Sequence, residues 1–132
     1  MSRILIVDDD PSTRFVARLI LERENFEIIE AAHGEAALEV AGLDPLPDVV
    51  MTDLMMPIMG GLELIRRLRA DPRTSAIPIV VVSSNPDAAR SLKSSGLVAA
   101  IIAKPYSASE LADGIRLATT EPMNRASMEG RA

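Results

Sequence analysis

The chain has 132 residues, 48% of them hydrophobic, and a formal net charge of −5 at pH 7, which predicts one domain with a buried core and no basic surface able to displace counterions from nucleic acid. It lacks Cys and Trp and carries a single histidine, His33, which excludes a disulfide framework, thiolate chemistry and a multi-histidine zinc site. No apolar run approaches the roughly 20 residues of a membrane span, and the opening MSRILIVDDD turns acidic too soon for a signal peptide, so the expectation is a cytoplasmic protein without membrane insertion or direct nucleic-acid contact.

Ile4–Val7 is a continuous apolar run, the mark of a strand covered on both faces. Asp10-Pro11-Ser12 opens a helix, with Asp10 as its cap and Pro11 in its first turn; along it Phe15, Val16, Leu19 and Ile20 form one apolar stripe. Phe26–Ile29 reads as the second strand. Gly34–Val40 reads as a short helix, preceded by an exposed His33 and closed by Gly42, Pro45 and Pro47. Asp48–Thr52 is the third strand, and a loop from Asp53 to Gly60 leads to a helix. That helix turns Leu62, Leu64, Ile65 and Leu68 inward and leaves Arg66, Arg67 and Arg69 as a solvated end where cations suit the dipole. Ile77–Val82 is the fourth strand, Asp87–Ser94 a helix, Val98–Ile102 the fifth strand and Ser109–Ala118 the last helix. Met51, Met55, Met56 and Met59 read as packing residues, since thioethers fill irregular gaps. From about Thr119 the periodicity is lost and the chain reads as a tail. Alternating β and α units of this size imply one parallel sheet with helices on both faces.

Polar residues sit where four of the apolar runs stop: Asp8-Asp9 after ILIV, Asp53 after DVVMT, Ser83 after PIVVV and Lys104 after AAIIA. In a parallel sheet those ends lie side by side, where open α/β sheets bind ligands. Carboxylates at close range resist joint ionisation, and a hard divalent cation relieves them; Mg²⁺ fits, because it takes oxygen ligands from one or two carboxylates together with a phosphate. A cation beside Asp53 leaves that carboxylate as a nucleophile towards phosphorus. Lys104 supplies fixed positive charge for phosphoryl oxygens and Ser83 a hydroxyl donor.

ILIVDDDP, MTDLMMPIMGG, PIVVVSS and AKPY, in this order and spacing, resemble the receiver domain of two-component response regulators over roughly residues 3–118. The resemblance implies a (βα)5 flavodoxin-like, CheY-like fold: a doubly wound five-stranded parallel sheet with helices on both faces. It places a receiver domain over residues 1–120 and a flexible C-terminal tail over 121–132. It implies a switch rather than an enzyme, one that catalyses only its own aspartyl phosphorylation and dephosphorylation. Asp53 matches the phosphoacceptor, Asp9 the direct Mg²⁺ ligand, Asp8 the carboxylate acting mainly through metal-bound water, and Met55 the residue whose backbone carbonyl completes the protein ligands. Ser83 matches the switch hydroxyl and Lys104 the lysine that pairs with the acceptor, before a proline bond that the family keeps cis. The implied partners are a sensor histidine kinase or histidine phosphotransfer protein, a downstream effector protein, and a second copy through the face of the fourth helix, fifth strand and fifth helix.

Several positions depart from the family pattern. Ile101 stands where the switch aromatic is usual, and Tyr106 is a different position from it. Gly96 to Lys104 is one residue longer than the commonest spacing. Gly60 replaces a helix-capping Asp, Ser84 replaces a smaller residue beside Ser83, and Met55 and Asn85 occupy the variable positions flanking the phosphoryl group. The rival readings are a receiver part of a longer regulator, a receiver-like binding module that no longer switches, and an aspartyl-phosphate phosphatase. The phosphatase needs a second Asp where Met55 stands.

Overall fold

The computed structural model describes residues 2–120; the tail expected over 121–132 lies outside the described residues. Five strands alternate with five helices: β1 (Arg3–Val7), α1 (Pro11–Arg23), β2 (Glu27–Ala31), α2 (Gly34–Ala41), β3 (Val49–Asp53), α3 (Gly61–Ala70), β4 (Ile79–Ser83), α4 (Pro86–Ser94), β5 (Ala100–Ala103) and α5 (Ala108–Thr120). All strand pairs are parallel, in the order β2-β1-β3-β4-β5. This is the expected flavodoxin-like sheet.

The period-2 alternation of the strands divides the apolar residues between two cores. Leu5, Val7, Val50, Ile79 and Val81 pack against α2, α3 and α4 through residues such as Ala37, Leu64, Ile65, Leu68 and Leu92. Ile4, Ile6, Val49, Met51, Val80 and Val82 face the other way, against Ala17 and Leu21 of α1 and Leu111 and Ile115 of α5. Strands buried on both faces have no polar side to show, which is why their sequences are unbroken apolar runs. The observed strands β2 to β5 run one or two residues further than expected. Asp53 and Ser83 are therefore the last residues of β3 and β4 rather than the first of the loops. At β4 the start also moves: Pro78 has no N–H to give a ladder, although its carbonyl accepts from Val50 N–H at 2.9 Å.

Three helical expectations need correction. On α1 the inward stripe is Ala17 and Leu21, with Ile20 partly packed, while Phe15, Val16 and Leu19 are 57%, 50% and 42% exposed. Two apolar stripes one position apart fit the same periodicity, and the small Ala17 lets the helix approach the sheet on its own side. Leu62 is likewise turned outward on α3. Arg69, expected in solvent, is instead folded under the helix end. It donates to the Leu97 carbonyl at 3.1 Å, to Ser75 at 2.9 Å and to Ile77 at 2.8 Å. Burial pushes its guanidinium down to about 10, so it remains charged at neutral pH while tying α3 to the approaches of β4 and β5. His33 is exposed as expected but also caps α2, its Nδ1 accepting from Ala36 N–H at 3.2 Å.

Arg69→Met keeps the packed stem and removes the three donors; hydrogen bonds from a charged group carry about 1.5–3 kcal/mol each before desolvation is offset. The expected loss of stability is about 2 kcal/mol in urea unfolding, against under about 0.5 kcal/mol for Arg66→Ala at the exposed neighbouring position. Equal midpoints for the Arg69 variant and the unsubstituted chain would mean that desolvation cancels the bonds.

Candidate functional site

The strand order reverses at β1, and the crevice of an open parallel sheet lies above the carboxyl ends at such a reversal. Asp8 and Asp9 follow β1 there, and Asp53 closes β3 beside them. One carboxylate oxygen from each of Asp8, Asp9 and Asp53 lies within 4.8 Å of the other two. Asp8 is buried, Asp9 is exposed, and the Asp53 side chain is 14% exposed. The cluster thus spans the boundary between core and solvent.

Each buried acid has a backbone donor. Asp10 N–H donates to Asp8 Oδ1 at 2.9 Å and Met55 N–H to Asp53 Oδ1 at 3.3 Å. Lys104, just past β5, brings Nζ to 3.2 Å from Asp53 Oδ2 and 3.9 Å from Asp8 Oδ2. Even so, burial holds the Asp8 carboxyl above the usual carboxylate range. The Asp10 N–H and Lys104 pull the other way, and the charges of Asp53 and Asp9 add to the rise. Three oxygen donors that repel one another, one of them desolvated, fit a hard divalent cation of the Mg²⁺ type.

Ser83 is buried at the end of β4. Its Oγ accepts from Asn85 N–H at 3.0 Å, and its carbonyl accepts from Lys104 N–H at 2.9 Å. Asp53 is in register with Val82, so Ser83 stands one residue beyond the partner of Asp53 on the neighbouring strand. The Lys104–Pro105 peptide is cis, as the motif implies. Ser84 and Asn85 are exposed at the rim, Tyr106 is half-buried against the α1–α5 core, and Ile101 packs partly against the opposite core.

The loop after Asp53 is held from below. Gly61 opens α3 so close to the end of β3 that a Cβ there would lie 2.5 Å from the Asp53 carbonyl oxygen and 2.8 Å from Leu54 Cα. Gly60 gives α3 no side-chain cap, as its sequence implies. Of the four methionines read as packing, Met51 and Met59 are buried and Met56 partly so, but Met55 is 77% exposed. Its N–H is committed to Asp53, and the side chain points away from the core.

Sequence reading passed over two residues beside the site. Arg14 donates through Nη1 to the Asp8 carbonyl at 2.6 Å and through Nε to Glu30 Oε1 at 2.8 Å. The available signals were an arginine on the inward side of α1, one turn before Ala17, and an acid set inside the strand EIIEA.

Comparison with known proteins agrees with this geometry. Protein PilH of Pseudomonas aeruginosa is 37% identical over 84 residues, 64% of this chain and 69% of that protein. Response regulator PleD of Caulobacter vibrioides is 39% identical over 83 residues, 63% of this chain but 18% of PleD. Sensor histidine kinase TmoS of Ectopseudomonas mendocina is 39% identical over 110 residues, 83% of this chain and only 11% of TmoS. The chain therefore spans a small part of some relatives and about two thirds of another. Among solved structures, a sensor protein from Polaromonas sp. JS666 superposes with a TM-score of 0.84 at 33% identity, covering 90% of this chain and 96% of that one. Chemotaxis protein CheY4 of Vibrio cholerae superposes at 0.80 with 27% identity, covering 89% and 98%. The sequence pattern of the response regulator receiver domain matches residues 4–116, and the chain belongs to that family of phosphorylation-dependent switches in two-component signalling.

Proposed function

We propose that this chain accepts a phosphoryl group on Asp53 from the phosphohistidine of a sensor histidine kinase or histidine phosphotransfer protein, and signals to a downstream effector by protein contacts. The convergence of Asp8, Asp9, Asp53 and Lys104 at one strand-end crevice carries this reading. Receiver domains bind Mg²⁺ at an acidic pocket of this kind. Here Asp8, Asp9, Asp53 and the Met55 carbonyl would hold the ion, which when bound neutralises the acids and the incoming phosphoryl oxygens. In the transfer, an Asp53 oxygen forms a bond to phosphorus as the bond from phosphorus to the donor's imidazole nitrogen breaks. That nitrogen leaves with the electron pair, and because the other ring nitrogen carries a proton the donor departs as a neutral imidazole. Lys104 Nζ, already at Asp53 Oδ2, is placed to follow the negative charge onto the phosphoryl group. The Ser83 hydroxyl keeps its hydrogen free to donate while its oxygen accepts from Asn85.

The same reading gives the exposed stripe of α1 a purpose. A groove lined by Thr13, Val16, Ser84, Lys104, Pro105 and Tyr106 opens beside the acids, and Phe15 and Val16 extend an apolar surface away from it. A phosphodonor protein seated there would present its histidine to Asp53. On the far side, a groove between α4, β5 and α5, lined by Lys93, Ile101, Glu110, Asp113 and Leu117, is the face we assign to the effector or to a second copy. Met55, exposed and without a proton to give, disfavours the phosphatase reading. No helix among the described residues is long and apolar enough to cross a membrane, which is compatible with a reaction in the cytoplasm.

Incubation with acetyl phosphate and Mg²⁺, followed by intact mass measurement with rapid trapping, should add one phosphoryl group to the chain. Asp53→Asn or added EDTA should abolish it. No adduct, or an adduct that survives the substitution, defeats the assignment. The Asp8 charge makes a second expectation. Its proton is bound more tightly in the folded chain than in the unfolded one, so this group's contribution to stability is present below the ordinary carboxylate pKa and is lost as pH rises through the raised one. Asp8→Asn should therefore raise the melting temperature of the metal-free protein at pH 7. The gain should shrink as pH falls through the raised folded-state value and be gone below about pH 4, where the unfolded carboxyl is protonated too. Thermal scans in EDTA across this range test it, and an unchanged or lowered melting temperature at pH 7 rejects it.

A further inference from the structure

Asp8 and Asp9 carry two of the three acids, and the Asp8 backbone is tied to β2 through both of its polar groups. Asp8 N–H donates to the Ala31 carbonyl at 3.2 Å. The Asp8 carbonyl, which shares a rigid plane with Asp9 N–H, accepts from Arg14 Nη1 at 2.6 Å. Arg14 in turn donates from Nε to Glu30 Oε1 at 2.8 Å, and the other Glu30 oxygen is held by Arg18. The successive β2 residues Glu30 and Ala31 thus hold the two polar groups of the Asp8 backbone, one through Arg14 and one directly. The Arg14 and Glu30 side chains are only 17% and 28% exposed. The Arg18 hydrogen bond, with help from Arg14, holds Glu30 below the usual carboxylate range. The link is therefore charged at neutral pH.

Asp9 has no such ties of its own. Its side chain is exposed, and among the described residues nothing donates a hydrogen bond to its carboxylate. The direction in which it leaves the backbone is set by the peptide plane before it. A guanidinium is a planar fork that can hold a carbonyl and a carboxylate at once, whereas an ammonium is a single point charge.

We propose that Arg14 is a positioning residue for the acidic site: its guanidinium locks the Asp8–Asp9 peptide plane to Glu30 and so sets where the Asp9 carboxylate stands for a divalent cation. The inference rests on the reading of Asp8, Asp9 and Asp53 as an Mg²⁺ site. It also carries a sign that separates it from simple electrostatics. Removing a cation near the site should tighten Mg²⁺ binding if charge alone mattered, and should weaken it if Arg14 positions the ligands.

Calorimetric titration of the full chain with Mg²⁺ alone decides between them, beside melting curves recorded without metal. Arg14→Gln and Arg14→Lys should each weaken Mg²⁺ affinity about tenfold or more, the range typical for groups that orient metal ligands. Glu30→Gln should weaken it by less. The Arg14→Gln/Glu30→Gln double variant should be no worse than Arg14→Gln alone, because both act through one link. Arg3→Ala, which breaks an ion pair to β2 that bypasses Glu30, at Glu27, should leave affinity unchanged even if it lowers the melting temperature. Affinity that is unchanged or tighter in Arg14→Gln overturns the proposal, as does full affinity in Arg14→Lys. If the Arg14 variants do not fold, unchanged affinity in Glu30→Gln overturns it. An unsubstituted chain whose Mg²⁺ binding is absent, or survives Asp9→Asn, overturns the metal-site reading together with the inference, and that failure shows before any Arg14 variant is made.

Discussion

Mutual repulsion among Asp8, Asp9 and Asp53 is the constraint around which this molecule is built. Three carboxylates within 4.8 Å would move apart or protonate in a loose structure. Here they are held by backbone that has nowhere to go, since β1 and β3 are covered on both faces by the two cores. The compensation is local and incomplete: two peptide N–H groups, one lysine, and a pair of arginines bound to Glu30 behind the first loop. What is left uncompensated is visible in Asp8, whose carboxyl burial holds above its ordinary range. Under the proposed function, that residue of unbalanced charge is what a divalent cation and a phosphoryl group would act upon.

The topology explains why the counter-charge has to be a long side chain. β5 is separated from β3 by β4, a gap of two strand spacings or roughly 10 Å. Lys104 crosses it with its stem above the end of β4 and arrives with Nζ at 3.2 Å from Asp53. Ser83 closes the strand that the lysine crosses, and its carbonyl receives the Lys104 N–H. The Asp53 carboxylate, the Ser83 hydroxyl and the Lys104 ammonium thus come from the ends of three adjacent strands in order, and a shift in the register of either strand pair would take one of them out of reach.

Much of this was legible in the sequence because buried parallel strands write themselves as apolar runs, and the residue that ends each run is the one at the crevice. Asp8, Asp9, Asp53, Ser83 and Lys104 were all found that way. The helices were harder. On α1 the pattern Phe15, Val16, Leu19, Ile20 satisfies a 3.6-residue period as well as the true stripe through Ala17 and Leu21, and nothing local tells which faces the sheet. Composition also misled at Arg69, and gave no sign of the role of Arg14. A long basic side chain in a helix reads as solvated, yet its guanidinium reaches acceptors contributed by other segments: the Leu97 carbonyl for Arg69, and the Glu30 carboxylate for Arg14. Such contacts exist only once the tertiary structure has formed.

α3 and α4 are not equally anchored, and that difference bears on how a switch can be read out. α3 sends Leu64, Ile65 and Leu68 fully into the core, whereas the buried anchors of α4 are Ala89 and Leu92, and β5 is only partly covered over Ala100 and Ile101. Elements with few buried apolar contacts open at the least free-energy cost. α4 begins at Pro86, directly after Asn85, whose N–H is bound to the Ser83 hydroxyl. A change at Asp53 would therefore be one side chain away from the first turn of α4. With Ile101 in place of a ring, this backbone connection joins Ser83 to the start of α4 without an aromatic side chain.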